Sequence, residues 1–324
     1  MNPYRSCIAV TGASGFIGRH FIRTLACDEN TEIRILVHHD PLPGMDNKSN
    51  ITIVEGDLMK PDSLKGFLKP DCTVVNLAYM RSADLQDHLK ATTHLASACR
   101  ATRVKRVVHC STAVVVGVSP DPEITERTPC KPAPGYESTK FEMERIIAEK
   151  AAGRFDLAIL RPTAVFGPGG KNLIKLADDL TLGSGVLNYL KSCLFDCRRM
   201  NLVSVGHVVS ALSFLTFAEQ RWEGGVFIVS DDDHPRNTYR DVEKYLMDAL
   251  GRRDYAIPRI PAPTPVLSAL LRLTGRSNSN PLRRYGAGKL RAAGFRNEVS
   301  FESGLDAFAY WYRMRLADPA AESS

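Results

Sequence analysis

The stretch TGASGFIGRH (11–20) joins a predicted strand to a predicted helix. Its three glycines stand three residues apart, at Gly12, Gly15 and Gly18. The apolar run CIAVTG (7–12) before it predicts a buried strand, and FIGRHFIRTLA (16–26) predicts a helix. Glycines at such a turn let the backbone approach a phosphate, and the unpaired N–H groups at the start of the helix attract its charge. The stretch therefore predicts a binding site for a dinucleotide.

Short β-rich runs alternate with helical patterns through the first half of the chain. The predicted strands cover 7–12, 32–38, 51–57, 72–78 and 104–112, and a helical pattern covers 85–102. Continuous apolar strands of this kind are typical of a parallel sheet covered by helices on both faces. We therefore predict an α/β fold: a Rossmann-type doubly wound parallel sheet with a smaller, mixed C-terminal substrate-binding region.

The pattern loosens in the second half of the chain. There the sequence predicts a strand and loop over 156–170, a mostly helical segment over 171–193 and a further strand over 224–231. We expect a dinucleotide-binding domain over 1–168 and a substrate-binding region over 169–324, with 202–230 returning to the main sheet. A hydrophobic helix is expected at VLSALLRL (266–273), either packed beside the substrate cleft or in contact with a membrane or lipid carrier.

Composition limits the class of protein. The chain has 324 residues, with 42 Lys+Arg against 36 Asp+Glu, and the basic residues are scattered. A nucleic-acid footprint would need a clustered basic stripe, so no nucleic-acid partner is expected. The eight cysteines lie mostly in apolar runs without the spacing of metal ligands, so no metal is expected. The start lacks the apolar stretch of a signal peptide, and no apolar run approaches a membrane span. We expect a cytoplasmic protein without an integral membrane segment.

Two strand ends bear on the nucleotide. Asp57, at the end of the third predicted strand, can accept a hydrogen bond from an adenine amino group with Leu58 donating through its backbone, or it can cap a helix. The second strand ends in LVHHD, where His38 and His39 precede Asp40. An acid at that strand end binds the ribose 2′-hydroxyl of NAD. In this chain the two histidines take that place and the acid follows them, which slightly favours NADP, with NAD nearly as well supported. Both histidines could equally be exposed loop residues.

The pentapeptide YESTK (136–140) places a tyrosine and a lysine on one helix face. Alone, such a pair is most often helix surface. Behind a phosphate loop it suits proton transfer, because an ammonium near a phenol favours the phenolate and lowers its pKa. Tyr136 would then exchange a proton with a substrate oxygen, and Lys140 would lie below the phenol and a bound nicotinamide ribose.

The segments TGASGFIG, GDL, NLA, VKRVVHCSTAVVVG, YESTK and ILRPTAVFGPGG occur in this order. Together they resemble the extended short-chain dehydrogenase/reductase family, which comprises NAD(P)-dependent sugar epimerases, dehydratases and reductases. The resemblance implies a catalytic set of Thr112, Tyr136 and Lys140. It implies that Ser111 is either the alternative to Thr112 or a contact to the substrate. It implies cofactor contacts at Gly12, Ser14, Gly15, Phe16, Ile17, Gly18, His38, Asp57, Leu58, Leu77, Ala78, Tyr136, Lys140 and Pro162.

Departures from the family pattern narrow the reaction. The 4,6-dehydratases of the family carry Thr-Asp-Glu where this chain has Thr112, Ala113 and Val114, so the resemblance argues against dehydration. Ala164 and His88 each replace an asparagine that is common in the family. Substrate contacts known from the epimerases are therefore not carried over to these positions.

The C-terminal half resembles one branch of the family more closely. The segments RPTAVFGPGGKNLIKLADDL, RRMNLVSVGHVVSAL, FIVSDDD and LRAAGFRNEVSFESGL are similar to bacterial enzymes of surface-polysaccharide synthesis that act at C4 of nucleotide-linked 6-deoxy amino sugars. The resemblance implies substrate contacts at Lys171, Asn172, Arg198 and Arg199, with surface charge as the alternative. We expect reduction of a 4-keto nucleotide sugar. The alternatives are a nucleotide-sugar 4-epimerase and a non-catalytic dinucleotide-binding module, and the family commonly forms homodimers.

Overall fold

The computed structural model describes residues 6–38, 48–80, 83–273 and 280–318. The strands of this part of the chain are β1 (Ser6–Thr11), β2 (Thr31–Val37), β3 (Ile51–Glu55), β4 (Thr73–Asn76), β5 (Arg106–Cys110), β6 (Glu123–Ile124), β7 (Asp156–Pro162), β8 (Ala164–Phe166), β9 (Leu202–Ser204), β10 (Gly225–Val229) and β11 (Arg284–Tyr285). The helices are α1 (Phe16–Leu25), α2 (Leu85–Thr102), α3 (Tyr136–Ala151), α4 (Ile174–Leu182), α5 (Gly185–Phe195), α6 (Val205–Phe217), α7 (Tyr239–Ala249), α8 (Thr264–Leu273), α9 (Gly288–Ala292) and α10 (Phe301–Ala317).

The main sheet of the described residues has seven strands in the order β3-β2-β1-β4-β5-β7-β10. The pairs from β3 through β7 are all parallel. The chain runs from β1 to β2 and β3 on one side and then crosses to β4 on the other. This reversal makes the carboxyl end of β1 the topological switch point, where open α/β sheets bind ligands. The prediction of a doubly wound parallel sheet with a smaller C-terminal region is confirmed.

The chain divides into two compact units. The first falls within Met1–Val115, Ala133–Arg161 and Val209–Phe227, and the second within Val116–Pro132, Pro162–Val208 and Ile228–Ser324. The sequence-based boundary between two domains at residue 168 stays a prediction.

The core of the first unit packs α2 and α3 onto the main sheet. Val74, Val107 and Leu157 come from three neighbouring strands and meet Leu95 of α2 and Ile147 of α3, all buried. Burying a side chain of this size contributes about 1.5–3 kcal/mol relative to leaving it exposed. This packing holds α3, whose first residue is Tyr136, against the strand ends.

Local contacts decide where α3 begins. Gly135 has a φ of 96°, a conformation that L side chains rarely adopt, so glycine lets the chain turn directly into the helix. The Glu137 carboxylate accepts the N–H of Ala133 at 2.8 Å, and the Thr139 hydroxyl donates to the Gly135 carbonyl at 2.8 Å. These bonds satisfy polar groups at the start of the helix and set the position of Tyr136.

The second unit has its own sheets and core. Strand β8 pairs with β9 and β6 with β11, both in parallel. Its core joins α4, α7 and α10 to β8 and β9, and includes Phe166, Leu176, Leu202, Val242, Leu246, Leu305 and Phe308. Helix α10 approaches the sheet closely at Gly304, where a Cβ atom would lie 2.7 Å from the Cβ of Ser204. No helix among the described residues combines the length and apolar character that crossing a bilayer requires.

Candidate active site

The predicted phosphate loop lies at the carboxyl end of β1. Gly12 has a φ of 70°, and a Cβ atom there would lie 2.6 Å from the backbone nitrogen of Ala78. A Cβ atom at Gly18 would meet the carbonyl oxygen of Gly12 and lie 2.7 Å from the Cα of Ala13. Any side chain at Gly12 or Gly18 would therefore force the loop apart from β4 or from α1.

The N-terminus of α1 is open to an anion. Its N-cap residue is Gly15, where no side chain caps the helix and no acid occupies the first turn. The N–H of Gly15 donates to the Gly12 carbonyl at 3.1 Å, which closes the turn. The predicted contacts Ser14, Phe16 and Ile17 lie in or beside this turn, all partly exposed. Bare helix N–H groups beside a loop that excludes side chains fit a pyrophosphate.

Leu77 and Ala78 extend the cradle from β4. The Leu77 N–H donates to the Thr11 carbonyl at 3.1 Å, and the Ala78 N–H to the Asn76 side chain at 3.3 Å. Both predicted contacts therefore lie beside Gly12. Pro162, also predicted, is the last residue of β7 and belongs to the second unit.

The predicted nucleotide end of the site lies at the ends of β2 and β3. One Asp57 oxygen accepts the Met59 N–H at 2.8 Å, and the other lies 3.5 Å from Nε2 of His38. Asp57 thus closes a local turn and keeps its second oxygen beside His38. The Leu58 carbonyl bonds with the His94 ring at 2.9 Å. His39 and Asp40, on which the preference for NADP partly rests, lie outside the described residues.

Tyr136, Lys140 and Thr112 come together where β5 ends and α3 begins. The Thr112 side chain lies beside the Tyr136 hydroxyl and lowers its pKa. Lys140, one turn along α3, is buried, and its Nζ donates to the Cys110 carbonyl at 3.1 Å. The structure therefore brings the three predicted catalytic residues into one group. Ser111 is also buried, and its hydroxyl has no hydrogen-bond partner in the described part of the chain.

The protonation of this group differs from the sequence-based expectation. Desolvation raises the pKa of Tyr136 to about 12, with contributions from Cys110 and Tyr79, whereas the Thr112 side chain opposes that shift. Burial lowers the pKa of Lys140, and the nearby Cys110 and Glu144 oppose that shift. In the protein alone the net shift of the phenol pKa is upward, because desolvation of the phenolate dominates, whereas the expected net shift was downward.

Tyr79 and His88 adjoin the catalytic group and were not predicted as site residues. The Tyr79 ring lies 5.0 Å from the Lys140 ammonium and 5.1 Å from the Tyr136 ring. The Tyr79 ring also stacks on the His88 ring, with 4.3 Å between the ring centroids. His88 is buried, its pKa is lowered by burial and by Lys140, and its Nε2 has no partner among the residues described. The available signal was position, because Tyr79 directly follows a strand at the ligand-binding edge of the sheet.

A buried polar chain crosses the sheet beneath the site. The Thr11 hydroxyl donates to Asn76 Oδ1 at 2.6 Å, and Asn76 Nδ2 lies 3.0 Å from His109 Nδ1. Because the Asn76 oxygen already accepts from Thr11, its amide must donate to His109, whose ring is then neutral with the proton on Nε2. Burial lowers the pKa of His109 to about 3, and the Lys140 charge adds to the shift.

The four predicted substrate contacts lie in the second unit. Lys171 is exposed, and the Asn172 amide donates to the Val165 carbonyl at 2.7 Å. The Arg198 guanidinium lies 5.5 Å from the Phe195 ring. The Arg199 guanidinium donates to the His234 carbonyl at 3.1 Å. Asn172 and Arg199 thus have structural contacts, and the substrate roles of all four stay predictions. Among the described residues, no three His, Cys, Asp or Glu side chains are grouped to hold a metal ion.

Two curated proteins resemble the chain along much of its length. The ceramide reductase of Caulobacter vibrioides (strain NA1000 / CB15N) is 26% identical over 295 residues, which cover 89% of this chain and 84% of the relative. The 4-hydroxy-2-methyl-3-oxo-4-farnesyl-3,4-dihydroquinoline-1-oxide ketoreductase of Stigmatella aurantiaca is 25% identical over 235 residues, which cover 68% of this chain and 67% of the relative.

A solved structure and a family match agree with the fold. The dTDP-glucose 4,6-dehydratase of Bacillus anthracis str. Ames, solved in complex with NAD, superposes with a TM-score of 0.72 and 19% identity over 97% of this chain and 98% of that chain. Residues 8–184, more than half of the sequence, match the NAD dependent epimerase/dehydratase family. The chain therefore belongs to the NAD-dependent epimerase/dehydratase family, the group that its sequence motifs predicted.

Proposed function

We propose that the protein is an NAD(P)-dependent oxidoreductase that reduces a ketone on a small molecule to a secondary alcohol, and that it catalyses the reverse oxidation. The observation that carries this proposal is that Tyr136, beside Thr112, shares helix α3 with the buried Lys140. Membership of a family of NAD-dependent enzymes supports it. A non-catalytic binding module would need the phosphate cradle but not this proton-transfer group.

The cradle around Gly12, Gly15 and Gly18 would hold the pyrophosphate, with Leu77 and Ala78 beside it. When bound, the nicotinamide supplies the hydride. Thr112 and Tyr136 hydrogen-bond the substrate carbonyl oxygen and fix its approach. Tyr136, protonated at neutral pH because its pKa is raised, donates its proton to that oxygen. The Lys140 ammonium stabilises the phenolate that remains, and solvent returns the proton.

The residues after Thr112 favour reduction over dehydration. Ala113 and Val114 carry no carboxyl group, so this segment offers no acid and base for the elimination of water. A nucleotide-sugar 4-epimerase would use the same proton-transfer group twice, and it is the alternative within this chemistry.

We propose as first substrate class a nucleotide-linked 4-keto-6-deoxy (amino) sugar, reduced at C4. The C-terminal segments noted above support this class. Lys171, Asn172, Arg198 and Arg199 are the proposed contacts to its nucleotide and phosphates, a role that suits lysine and arginine side chains.

A ketone attached to a hydrocarbon group is the second candidate substrate. Both curated relatives are named as reductases, one of ceramide and one of a quinoline that carries a farnesyl group. Their likeness covers most of this chain. The cytoplasmic location, the homodimer and the slight preference for NADP over NAD remain predictions from the sequence.

A single assay format tests the function and separates these candidates. Purified protein is incubated with NADH or NADPH and either UDP-4-keto-6-deoxy-N-acetylglucosamine or an N-acylated long-chain 3-ketone, and the absorbance of the reduced nicotinamide is followed. We expect it to fall with one of the two ketones and to stay constant with the Tyr136→Phe variant. Interconversion of two sugar epimers without net nicotinamide consumption would support the epimerase. Bound cofactor with no turnover of any ketone or alcohol in a broad panel would overturn the proposal.

A further inference from the structure

Helix α8 is apolar on more than the side that packs against the protein. Leu267 and Leu271 are buried. The apolar side chains that it exposes are Val266, Leu270 and Leu273, the last of them 85% exposed. A helix on the surface of a water-soluble unit normally turns polar residues to solvent, whereas a helix with apolar residues all round is covered on every side. The outer face of α8 therefore needs a covering.

A second group of exposed apolar side chains lies at the end of α4 and the start of α5. It comprises Leu182, Val186, Leu187 and Leu190, each more than half exposed, and no charged residue occurs in 182–190. Within the described stretch 182–190, no other large apolar side chain is exposed. Isolated exposed leucines are common, but a continuous group marks an interaction surface.

The segment that leads into α8 packs beside α5. The Tyr189 hydroxyl donates to the Pro258 carbonyl at 3.0 Å, and the Ala262 N–H donates to the Cys193 carbonyl at 2.8 Å. Ile257 and Ile260 of this segment are 63% and 72% exposed. We call the whole set the apolar surface, comprising Leu182, Val186, Leu187, Leu190, Ile257, Ile260, Val266, Leu270 and Leu273.

The charged residues within the segments that form the apolar surface are all positive. The stretches 180–195 and 255–273 contain no Asp or Glu. Their cations are Lys191, Arg259 and Arg272, and Arg252 and Arg253 precede the second stretch. The Arg252 guanidinium binds the Thr181 carbonyl, next to Leu182.

Two acids that flank these segments in the sequence are paired with cations. Asp254 lies 2.8 Å from Arg259, and Asp179 lies 2.7 Å from Lys191. Arg252, Arg253 and Arg272 are exposed. An apolar surface without acids and with arginines beside it complements an anionic lipid layer, whose acyl chains accept the apolar groups and whose phosphates attract the arginines.

We infer that the apolar surface rests on an anionic phospholipid bilayer and makes the protein a peripheral membrane protein. The leucines, isoleucines and valines enter the boundary between headgroups and acyl chains. Arg252, Arg253 and Arg272 contact lipid phosphates. An isologous interface between two copies of the chain would cover the apolar groups equally well, but it would join two copies of a surface whose segments carry no acid to pair with these arginines. The inference does not rest on the proposed ketone chemistry.

The test uses the full chain and vesicles of defined composition. Co-sedimentation is measured with vesicles of phosphatidylcholine alone and with vesicles that contain one third phosphatidylglycerol. We expect the wild type to bind the anionic vesicles, and added salt to weaken that binding. Two variants, Leu270→Asp/Leu273→Asp and Leu187→Asp/Leu190→Asp, should each bind at least tenfold more weakly.

A matched control adds the same charge elsewhere in the second unit. Val118→Asp/Met314→Asp changes two exposed apolar residues, 61% and 53% exposed, outside the apolar surface. Its two added negative charges weaken the attraction to anionic lipid, so we expect a loss of binding from that effect alone. This loss should be smaller than that of the two surface variants. Circular dichroism and thermal unfolding confirm that all variants are folded.

Three results would overturn the inference. The wild type would fail to sediment with anionic vesicles, or the control would lose as much binding as the two surface variants. In the third, the wild type would bind no vesicles, and gel filtration would show that the surface variants convert a dimer to a monomer. That result would assign the surface to self-association. None of these measurements uses a substrate, so a negative result leaves the ketoreductase proposal intact, and a failed ketone assay leaves this one intact.

Discussion

Tyr136 combines an exposed ring with a desolvated hydroxyl. The residue is 46% exposed, as a group that meets substrate requires, while the atoms around its oxygen raise the pKa to about 12. A protonated phenol at neutral pH is suited to donate a proton to a ketone. The oxidative direction needs the phenolate instead, so its rate should rise with pH over the alkaline range in which the phenol ionises.

Replacing Tyr136 tests its role at the scale of a single residue. Tyr136→Phe removes only the hydroxyl, so we expect kcat to fall by roughly 10²–10⁴-fold while cofactor affinity changes little. The measurements are steady-state turnover with whichever of the two ketones proves to be a substrate and titration of NADPH or NADH by fluorescence. Tyr310→Phe, at an exposed position on α10, is the matched control and should leave kcat unchanged. Unchanged turnover in Tyr136→Phe would remove the residue from the mechanism.

His109 is a second residue whose chemistry depends on burial. It is fully buried and accepts a hydrogen bond from Asn76, so protonation would both place a charge in the core and remove the acceptor. Its folded-state pKa of about 3 lies below the usual value of about 6.5. The unfolded chain therefore binds a proton more readily as the pH falls through 6.5, and the stability that neutral His109 contributes is lost progressively toward pH 3.

The pH dependence of His109 can be isolated by substitution. His109→Gln removes the titrating group. The difference in free energy of unfolding between wild type and variant, called the gap below, should therefore shift by about 2 kcal/mol in favour of the variant between pH 7 and pH 5. Urea unfolding at both pH values measures the gap. Val107→Ala, on the same strand and equally buried, removes packing without a titrating group, and its gap should not depend on pH. If the gap for His109→Gln were also independent of pH, the pKa of His109 would not be depressed.

At the scale of the elements, a buried ion pair fastens α3 to β7. The Arg161 guanidinium donates to both oxygens of Glu144, at 2.9 and 2.6 Å, and both side chains are buried. Because Tyr136 and Lys140 lie on the same helix, this pair also fixes their position relative to the sheet. Removing one partner leaves an uncompensated buried charge on the other.

Breaking this pair should cost more than breaking a surface pair on the same helix. We expect Arg161→Met to reduce the free energy of unfolding by about 3–5 kcal/mol and the double variant Arg161→Met/Glu144→Met to recover much of that loss. Arg145→Met removes an exposed pair with Glu142, 3.0 Å apart, and should cost about 0–1 kcal/mol. Chemical denaturation measures all three. Equal losses for the buried and the exposed pair would contradict the anchoring role.

The glycines of the phosphate loop differ in what they tolerate. A Cβ atom at Gly18 would collide with backbone atoms of Gly12 and Ala13, whereas one at Gly15 would lie 3.2 Å from the Gly12 carbonyl oxygen. We therefore expect Gly18→Ala to lower the melting temperature and abolish cofactor binding. Gly15→Ala should keep the fold and weaken cofactor binding only. Differential scanning fluorimetry and nicotinamide fluorescence separate the two effects, and equal unfolding of both variants would be inconsistent with this geometry.

At the scale of the whole molecule, cofactor binding should stabilise the folded protein. A ligand at 100 times its Kd adds about 2.7 kcal/mol, which raises the melting temperature of a chain of this size by about 4 °C. NAD and NADP are compared at matched concentrations, and the predicted preference corresponds to a larger shift with NADP. ATP serves as a control for binding of adenosine and phosphates without nicotinamide. No shift with either dinucleotide would contradict the function assigned to the cradle.

The parallel sheet, the loop at Gly12 and the helix over 85–102 could be predicted because they depend on short-range patterns. Apolar periodicity and glycine spacing act within one strand–turn–helix unit. The grouping of Thr112 with Tyr136 also followed from the sequence, through resemblance to a family and not through periodicity. Tyr79 could not be found in this way, because its contact with Lys140 joins segments far apart in the chain, and His88 joins the group through its stacking on Tyr79.

The sequence by itself determined the fold class, the position of the phosphate loop and the candidates for proton transfer, since hydrophobic period, glycine spacing and motif order are properties of the linear chain. Only the tertiary structure decided the protonation of Tyr136, the neutral state of His109 and the outward exposure of α8. These properties depend on which atoms surround a group and exclude water from it. That enclosure arises only when distant segments pack together.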